Sequence, residues 1–347
     1  MTVSTLLPPG RPAGSPGFAG LSATEARFEV VTIADGIVEA RLRAADLDPP
    51  VLGEAAIAFV EGLTAQDAAI EAVRVRAEPE AALDVLVERV AGRSIAGRPD
   101  AVDLLPDLVW QLPGRWLAGE GRPYPELRTV TAGRGHPLRP PKPRGTVYRR
   151  AIPWLGAELT FRAAGEAGDA ALLNAWMNQP RVAAIWDEAG PVEHHRAYLD
   201  GLIADPHILP LIGLLDGRPF GWFEVYYAVE NRLGALYAAA DWDRGWHVAI
   251  GDEDCRGAAH VSAWLPSLMH FLFLDEPHTR RIVGEPRADH RQQLRNLERS
   301  GFAAVGTVDF PHKRAALVML TRERFFRDHL WAPGAAEASL AGTPRAR

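Results

Sequence analysis

The chain has 347 residues, of which 47% are hydrophobic and 24% charged. That balance fits a globular protein of about two domains and excludes a disordered chain. The formal net charge of -6 provides no basic field for a nucleic-acid backbone, and the single cysteine, Cys255, excludes an intrachain disulfide or a cysteine-rich zinc site. No apolar run approaches the roughly 20 residues that span a bilayer. The start, MTVSTLLPPGRPAGSPG, lacks the pattern of a secretory signal, so a soluble cytoplasmic protein without a membrane partner is expected.

In chain order, residues 1–24 are rich in Pro, Gly and Ser and read as a loose tail. The stretch 26–43, ARFEVVTIADGIVEARLR, alternates apolar and polar residues on both sides of Asp35-Gly36, a hairpin signal. Helical patterns at 52–63 and 79–92, with a strand near 70–76, complete a small α+β accessory domain over 25–131 that carries no catalytic constellation. Residues 132–150 begin AGRGHPLRPPKPRG and read as a solvated linker. The second domain, 151–331, is more regular. A strand at 158–163 precedes a helix at 165–178 that stops near Pro180, and Pro191 opens a second helix to about Ala204. ILPLIGLL (208–215) and FGWFEVYYAV (220–229) form a hairpin around DGRP, followed by the strand GWHVAIG (245–251). A helix over 258–275, the strand RRIVGE (280–285), a helix over 289–300 and a closing hairpin about Pro311-His312 follow. Residues 332–347 read as a second tail.

The order β-αα-βββ-α-β-α-ββ resembles the GNAT acyltransferases. The stretches GWFEVYYAVENRLGALY (221–237), DRGWHVAIG (243–251), VGEPRADHRQ (283–292) and NLERSGF (296–302) are similar to the aerobactin-type N6-hydroxylysine acetyltransferases of hydroxamate siderophore biosynthesis. NLERSGF is generic, whereas GWH with EPRADHRQ is specific. The resemblance covers about 158–325 and implies an α/β (α+β) GNAT fold, a mixed, mostly antiparallel sheet with flanking helices. It also implies acetyl-CoA or another short acyl-CoA as co-substrate, no metal, and a small N-hydroxyamine as acceptor.

It further implies roles for particular residues. Arg256, Gly257, Ala258 and Ala259 occupy the coenzyme loop, at a helix N-terminus whose free N–H groups suit a pyrophosphate. The loop lacks a second glycine and follows three acids, so an ordinary charged helix cap is the alternative reading. Val248, Ala249 and Ile250 would run beside the pantetheine arm where the strand splays from its neighbour at a bulge, with the amide of Val248 or Ala249 meeting the developing oxyanion. His247 is the expected proton carrier, a neutral imidazole taking a proton from the attacking amine or the tetrahedral intermediate. Its carboxylate partner is Glu285, with Asp289 second; the competing reading of Asp289 is a helix N-cap. Trp186, in a loop over the acceptor cleft, and Trp222, Glu224 and Tyr226, alternating along one strand face, are candidates for acceptor binding. Glu224 would receive the acceptor's amino group, unless that face is only a half-buried sheet surface. Arg232 and Arg244 are candidates for an acceptor carboxylate.

Cys255 lies in the coenzyme loop and is not expected to form an acyl-enzyme. Adjacent His194 and His195 point about 100° apart on a helix and suit no shared metal, reading as a solvated face. Lysine occurs only at Lys142 and Lys313, a pattern consistent with coding bias. Two rival readings remain: the same fold acting on another small amine, and a catalytically silent acyl-CoA-binding module.

Overall fold

The computed structural model describes residues 28–332, except 44–47, 66, 79–80, 119–123, 132 and 312. Both expected tails lie outside the described residues, apart from Ala332. The chain divides into two compact units: the residues up to Arg115 together with those from Phe326 onward, and Trp116–Phe325.

The first unit contains β1 (Phe28–Ala34), β2 (Ile37–Leu42), α1 (Pro49–Thr64), β3 (Ala72–Ala77), α2 (Ala81–Val90), β4 (Arg93–Ile95), β5 (Arg98–Leu104) and the single turn α3 (Pro106–Val109). The sheet order is β1-β2-β3-β5-β4, with β2 and β3 parallel and the other pairs antiparallel. Asp35 and Gly36 both have positive φ, 50° and 75°, which is the backbone twist a tight two-residue hairpin requires. Val38, Val60, Val73, Leu86 and Leu104 fill the core. Trp110 stacks on Trp331 at 4.8 Å and donates its indole N–H to Thr64 Oγ1, so the returning chain end is part of this core.

The second unit begins with the ribbon β6 (Arg128–Thr131) and β7 (Arg134–Pro137). It continues through β8 (Thr146–Ile152), β9 (Ala157–Ala163), α4 (Asp169–Met177), α5 (Pro180–Trp186), α6 (Val192–Ala204), β10 (Ile208–Leu215) and β11 (Arg218–Tyr227). Then come β12 (Arg244–Ile250), α7 (Ala258–Asp275), β13 (Arg281–Gly284), α8 (Arg291–Arg299), β14 (Ala303–Phe310), β15 (Lys313–Thr321) and α9 (Arg322–Arg327), which leads back to the first unit. The eight-stranded sheet has the order β14-β15-β13-β12-β11-β10-β9-β8. Only β12 and β13 run parallel.

Three features differ from the sequence reading. The helix does end just before Pro180, at Met177, but Pro180 also opens a further helix, α5, that was not expected, sitting in its first turn where its missing N–H costs nothing. The stretch expected as a linker contains β7, and Arg139 within it is buried. Arg139 forms a fork with Glu230 at 2.6 and 2.8 Å and lies 3.8 Å over the Tyr227 ring, so a residue type that suggested solvent is paired inside. The last part of that stretch is β8, an edge strand whose buried Arg150 breaks the apolar alternation.

The parallel pair is what opens the molecule. β12 and β13 are paired only at Arg244↔Ile282 and Gly245↔Val283, and beyond that point they diverge. β12 remains fully paired with β11 from Arg244 to Ile250 without a register shift. The split therefore needs no bulge in β12, contrary to the expectation.

Candidate active site

His247 sits on β12 directly opposite Glu224 of β11. Its Nδ1 lies 2.9 Å from Glu224 Oε2 and its Nε2 lies 3.2 Å from Glu285 Oε1, just beyond the end of β13. The imidazole is thus held between two carboxylates, both buried. Burial opposes charge on His247, but the hydrogen bonds to Glu224 and Glu285 and their negative charges outweigh it and raise its pKa to about 9. Burial likewise favours neutral carboxyls, and the His247 bond overrides it: Glu285 falls to about 2 and Glu224 is also lowered. A pKa raised this far favours an imidazolium that donates both ring N–H groups at neutral pH, where the sequence reading has a neutral imidazole.

Each carboxylate has further donors. Tyr198 of α6 and the Trp222 indole donate to Glu224 Oε1 at 2.5 and 2.9 Å. Tyr226 donates to Glu285 Oε2 at 3.1 Å, and its ring centroid is 5.0 Å from that of His247. Trp222 and Tyr226 are buried, so they orient the carboxylates from behind. Room for the Tyr226 ring comes from Gly245, where a Cβ would stand 2.4 Å from a ring carbon.

The cleft opened by the divergence has a volume of about 250 Å³. Its walls come from β12 (Trp246, Val248–Ile250), α5 (Arg181, Trp186), α7 (Trp264) and α8 (Gln293). Antiparallel amides alternate in direction. Because Ala228 N–H bonds Asp243 O and Gly251 N–H bonds Phe220 O, the alternation turns Val248 and Ile250 N–H away from β11 into the split. Ala249 N–H points to β11, so of the two amides considered only that of Val248 faces the split. Trp186 donates to Val248 O at 3.3 Å and meets the His247 ring edge-on at 6.2 Å.

The residues fit an acyl-CoA. Trp264 lines the cleft with a buried indole N–H that has no partner, a donor suited to an amide carbonyl of a ligand. Gly257, at φ 98°, turns the chain into α7, whose first turn receives no side-chain cap. The three acids before it are paired with two arginines: Asp252 and Asp254 share Arg218 at 2.7 and 3.1 Å, and Glu253 meets Arg181 at 2.6 Å. Arg256, Gly257, Ala258 and Ala259 frame a helix N-terminus whose neighbouring acids are held largely by Arg218 and Arg181.

Other candidates lie elsewhere. Asp289 is exposed and forked to Arg287 at 2.9 and 3.0 Å; it is not brought to His247. Neither is it the cap of α8, which is His290, accepting from Gln293 N–H. Arg244 is buried against Asp275 and the Tyr227 ring. Burial pushes the Cys255 thiol up, away from thiolate chemistry. His195 is buried beside Asn174, leaving only His194 exposed, against Glu188. Among the described residues no cluster of His, Cys, Asp and Glu could hold a metal ion, and no helix is long and apolar enough to cross a membrane.

A half-split mixed sheet with a histidine at its fork and an oriented amide beside it defines the class: a GNAT-fold acyltransferase. Residues 166–310 match the acetyltransferase (GNAT) domain family. The chain is 41% identical over 221 residues to an Escherichia coli N(6)-hydroxylysine O-acetyltransferase, covering 63% of this chain and 70% of that one. It is 38% identical over 259 residues to an Ajellomyces capsulatus hydroxyornithine transacylase, covering 70% of this chain and 58% of that one. A Beauveria bassiana N(5)-hydroxyornithine:cis-anhydromevalonyl coenzyme A-N(5)-transacylase is 41% identical over 211 residues, covering 60% of this chain and 46% of that one. The chain thus spans about half the length of these fungal relatives. A crystal structure of an uncharacterized Bacillus halodurans protein shares the fold, with a TM-score of 0.50, 24% identity, and 54% of this chain and 94% of that one covered. The chain belongs to the hydroxamate-siderophore branch of the GNAT acyltransferases.

Proposed function

We propose that this protein moves an acetyl group from acetyl-CoA to the N-hydroxylated side-chain amine of a small amino acid, forming a hydroxamate. The observation that carries the reading is His247 clamped between Glu224 and Glu285, next in the strand to Val248 and beside Trp186, both of which line the cleft. Acyl-CoA supplies the activated acyl group as a thioester. A hydroxylamine nitrogen is mostly neutral near pH 7, so no residue has to strip an ammonium before attack. Val248 N–H stabilises the negative charge that develops on the carbonyl oxygen. His247, with a pKa of about 9 close to that of a thiol, turns its Nε2–H, the longer of its two bonds, from Glu285 to the departing sulfur and gives up that proton, while Nδ1–H stays on Glu224. As the neutral imidazole it then takes the proton released by the nitrogen, which restores the starting state. The N–C bond forms, the C–S bond breaks, and one proton passes from nitrogen to sulfur. Glu285 and Glu224 hold the ring; Cys255 takes no part. Catalysis belongs to the second unit, and acetyl-CoA with a soluble acceptor suits the cytoplasm.

The test is thiol release from acetyl-CoA and succinyl-CoA with N6-hydroxylysine or plain lysine, for wild type and His247→Ala. Turnover of the hydroxylated amine that falls roughly 10²–10⁴-fold in the variant is expected. The ferric-hydroxamate colour separates N-acylation from O-acylation, because only the N-acyl product is a hydroxamate. Turnover of plain lysine alone, or of neither amine, overturns the reading.

A further inference from the structure

Glu285 Oε1 faces three cationic groups: His247 Nε2 at 3.2 Å, Arg232 Nη2 at 3.6 Å and Lys313 Nζ at 3.9 Å. The three come from different places in the chain: His247 from β12, Arg232 from the turn after β11, and Lys313 from the first position of β15. Arg232 Cζ and Lys313 Nζ lie 5.4 and 5.3 Å from the Phe310 ring centroid, so one aromatic face gathers both cations. Lys313 spends one N–H on the Glu285 carbonyl at 2.8 Å. The Arg232 side chain makes no hydrogen bond to a described residue, is 51% exposed, and reaches the carboxylate that holds His247.

The charges do not cancel. Two carboxylates, Glu224 and Glu285, face three cations, His247, Lys313 and Arg232, so the cluster keeps one positive charge, and Arg232 is the most exposed of the three. The neighbouring cation Arg287 is already forked to Asp289, and Arg281 to Asp243. A half-exposed guanidinium that forms no bidentate pair, beside a half-buried ammonium on an aromatic platform, is the arrangement that receives a carboxylate. Of the chain's two lysines, one stands here, where a compact ammonium fits under Glu285.

We infer that Arg232, assisted by Lys313, binds the α-carboxylate of the acceptor, so that the site selects N-hydroxylated amino acids over the corresponding N-hydroxydiamines. The inference rests on the proposed N-hydroxyamine acylation and deepens it. Span agrees with it: in a lysine-length acceptor the side-chain nitrogen and carboxyl carbon are roughly 7 Å apart when extended, from ordinary bond lengths of about 1.5 Å. A nitrogen near His247 therefore leaves its carboxylate free to reach Arg232, which approaches the same Glu285 oxygen as His247 does.

The experiment compares kcat/KM for N6-hydroxylysine and for its decarboxylated counterpart N-hydroxycadaverine, in wild type, Arg232→Gln and Arg232→Lys. Wild type should prefer the amino acid, and Arg232→Gln should lower that preference at least tenfold, chiefly through KM. Arg232→Lys should recover part of it. Calorimetry of N6-hydroxylysine binding in the presence of CoA should show a matching loss of affinity in Arg232→Gln. An equal loss for both acceptors, or a wild type that prefers the diamine, overturns the carboxylate site and leaves the acyl transfer standing. Turnover of neither by wild type overturns the functional reading and this inference with it.

Discussion

Glu224 and His247 stand directly opposite one another on antiparallel strands, and their side chains close that pairing with a 2.9 Å contact. Glu224 is thereby the second carboxylate of the histidine rather than a receiver for the acceptor's amine. Glu224→Gln keeps an oxygen for Tyr198 and Trp222 but removes one of the two charges that hold the imidazolium. The His247 pKa should fall from about 9 toward its ordinary value, and kcat should drop roughly tenfold or more. A pH–rate profile checks this: the high-pH loss of activity, near 9 in wild type, should move to lower pH in the variant. An unchanged profile refutes the coupling.

The same shifts give a pH dependence of stability. His247 has a folded-state pKa above its unfolded value of about 6.5, so its contribution is fully present below that value and is lost as pH rises through about 9. Glu285 has the opposite sign: its contribution is present above its ordinary carboxyl range and is lost as pH falls through about 2. Wild-type Tm should therefore decline between pH 7 and 9.5. In His247→Gln that decline should be shallower, from a lower starting Tm, because two buried carboxylates have lost their cation. Parallel curves for the two proteins would remove His247 as the titrating group.

Cys255→Ser tests whether acyl transfer is direct. The thiol is buried, its pKa is pushed up, and it lies in the turn after β12 beside Asp252. With no thiolate to attack the thioester, kcat should stay within about twofold of wild type, and no acylated protein should be seen by intact mass after mixing with acetyl-CoA. A loss beyond tenfold with the fold intact would require a covalent step.

The sequence shows the scaffold better than the charges around it. The strands from 208 to 251 and the helix over 258–275 were legible because hairpin alternation and long apolar runs are local signals. The pairing of His247 with Glu285 was legible only through family resemblance, since the residues are far apart in the chain and meet across neighbouring strands. Glu224 as a histidine partner, Tyr198 beneath it and Lys313 behind Glu285 were not legible. Each depends on strand register or on an element contributed from far along the chain. Asp289 looked eligible because it follows Glu285 closely, yet the chain turns after β13 and exposes it. The buried arginines Arg139 and Arg150 misled for a related reason: their satisfaction depends on tertiary partners that no local pattern records.

Gly245→Ala probes how far the site depends on close packing behind it. A Cβ at Gly245 would come within 2.4 Å of the Tyr226 ring and 2.6 Å of its hydroxyl oxygen, so the ring must move. Tyr226 is buried and its hydroxyl is bonded to Glu285, so a displaced ring would sacrifice that bond or strain the β11–β12 pairing. Overpacking of this kind costs about 1–3 kcal/mol. Urea denaturation should report a stability loss in that range. The rate should also fall, because Glu285 loses a donor and with it part of its hold on His247 Nε2. Gly251→Ala serves as the comparison, since its Cβ would meet the Trp176 ring at 2.2 Å, away from the two carboxylates. Comparable destabilisation with a smaller effect on kcat is expected there. Equal effects on kcat at both positions would make the Tyr226–Glu285 bond irrelevant to catalysis and leave packing alone to explain Gly245.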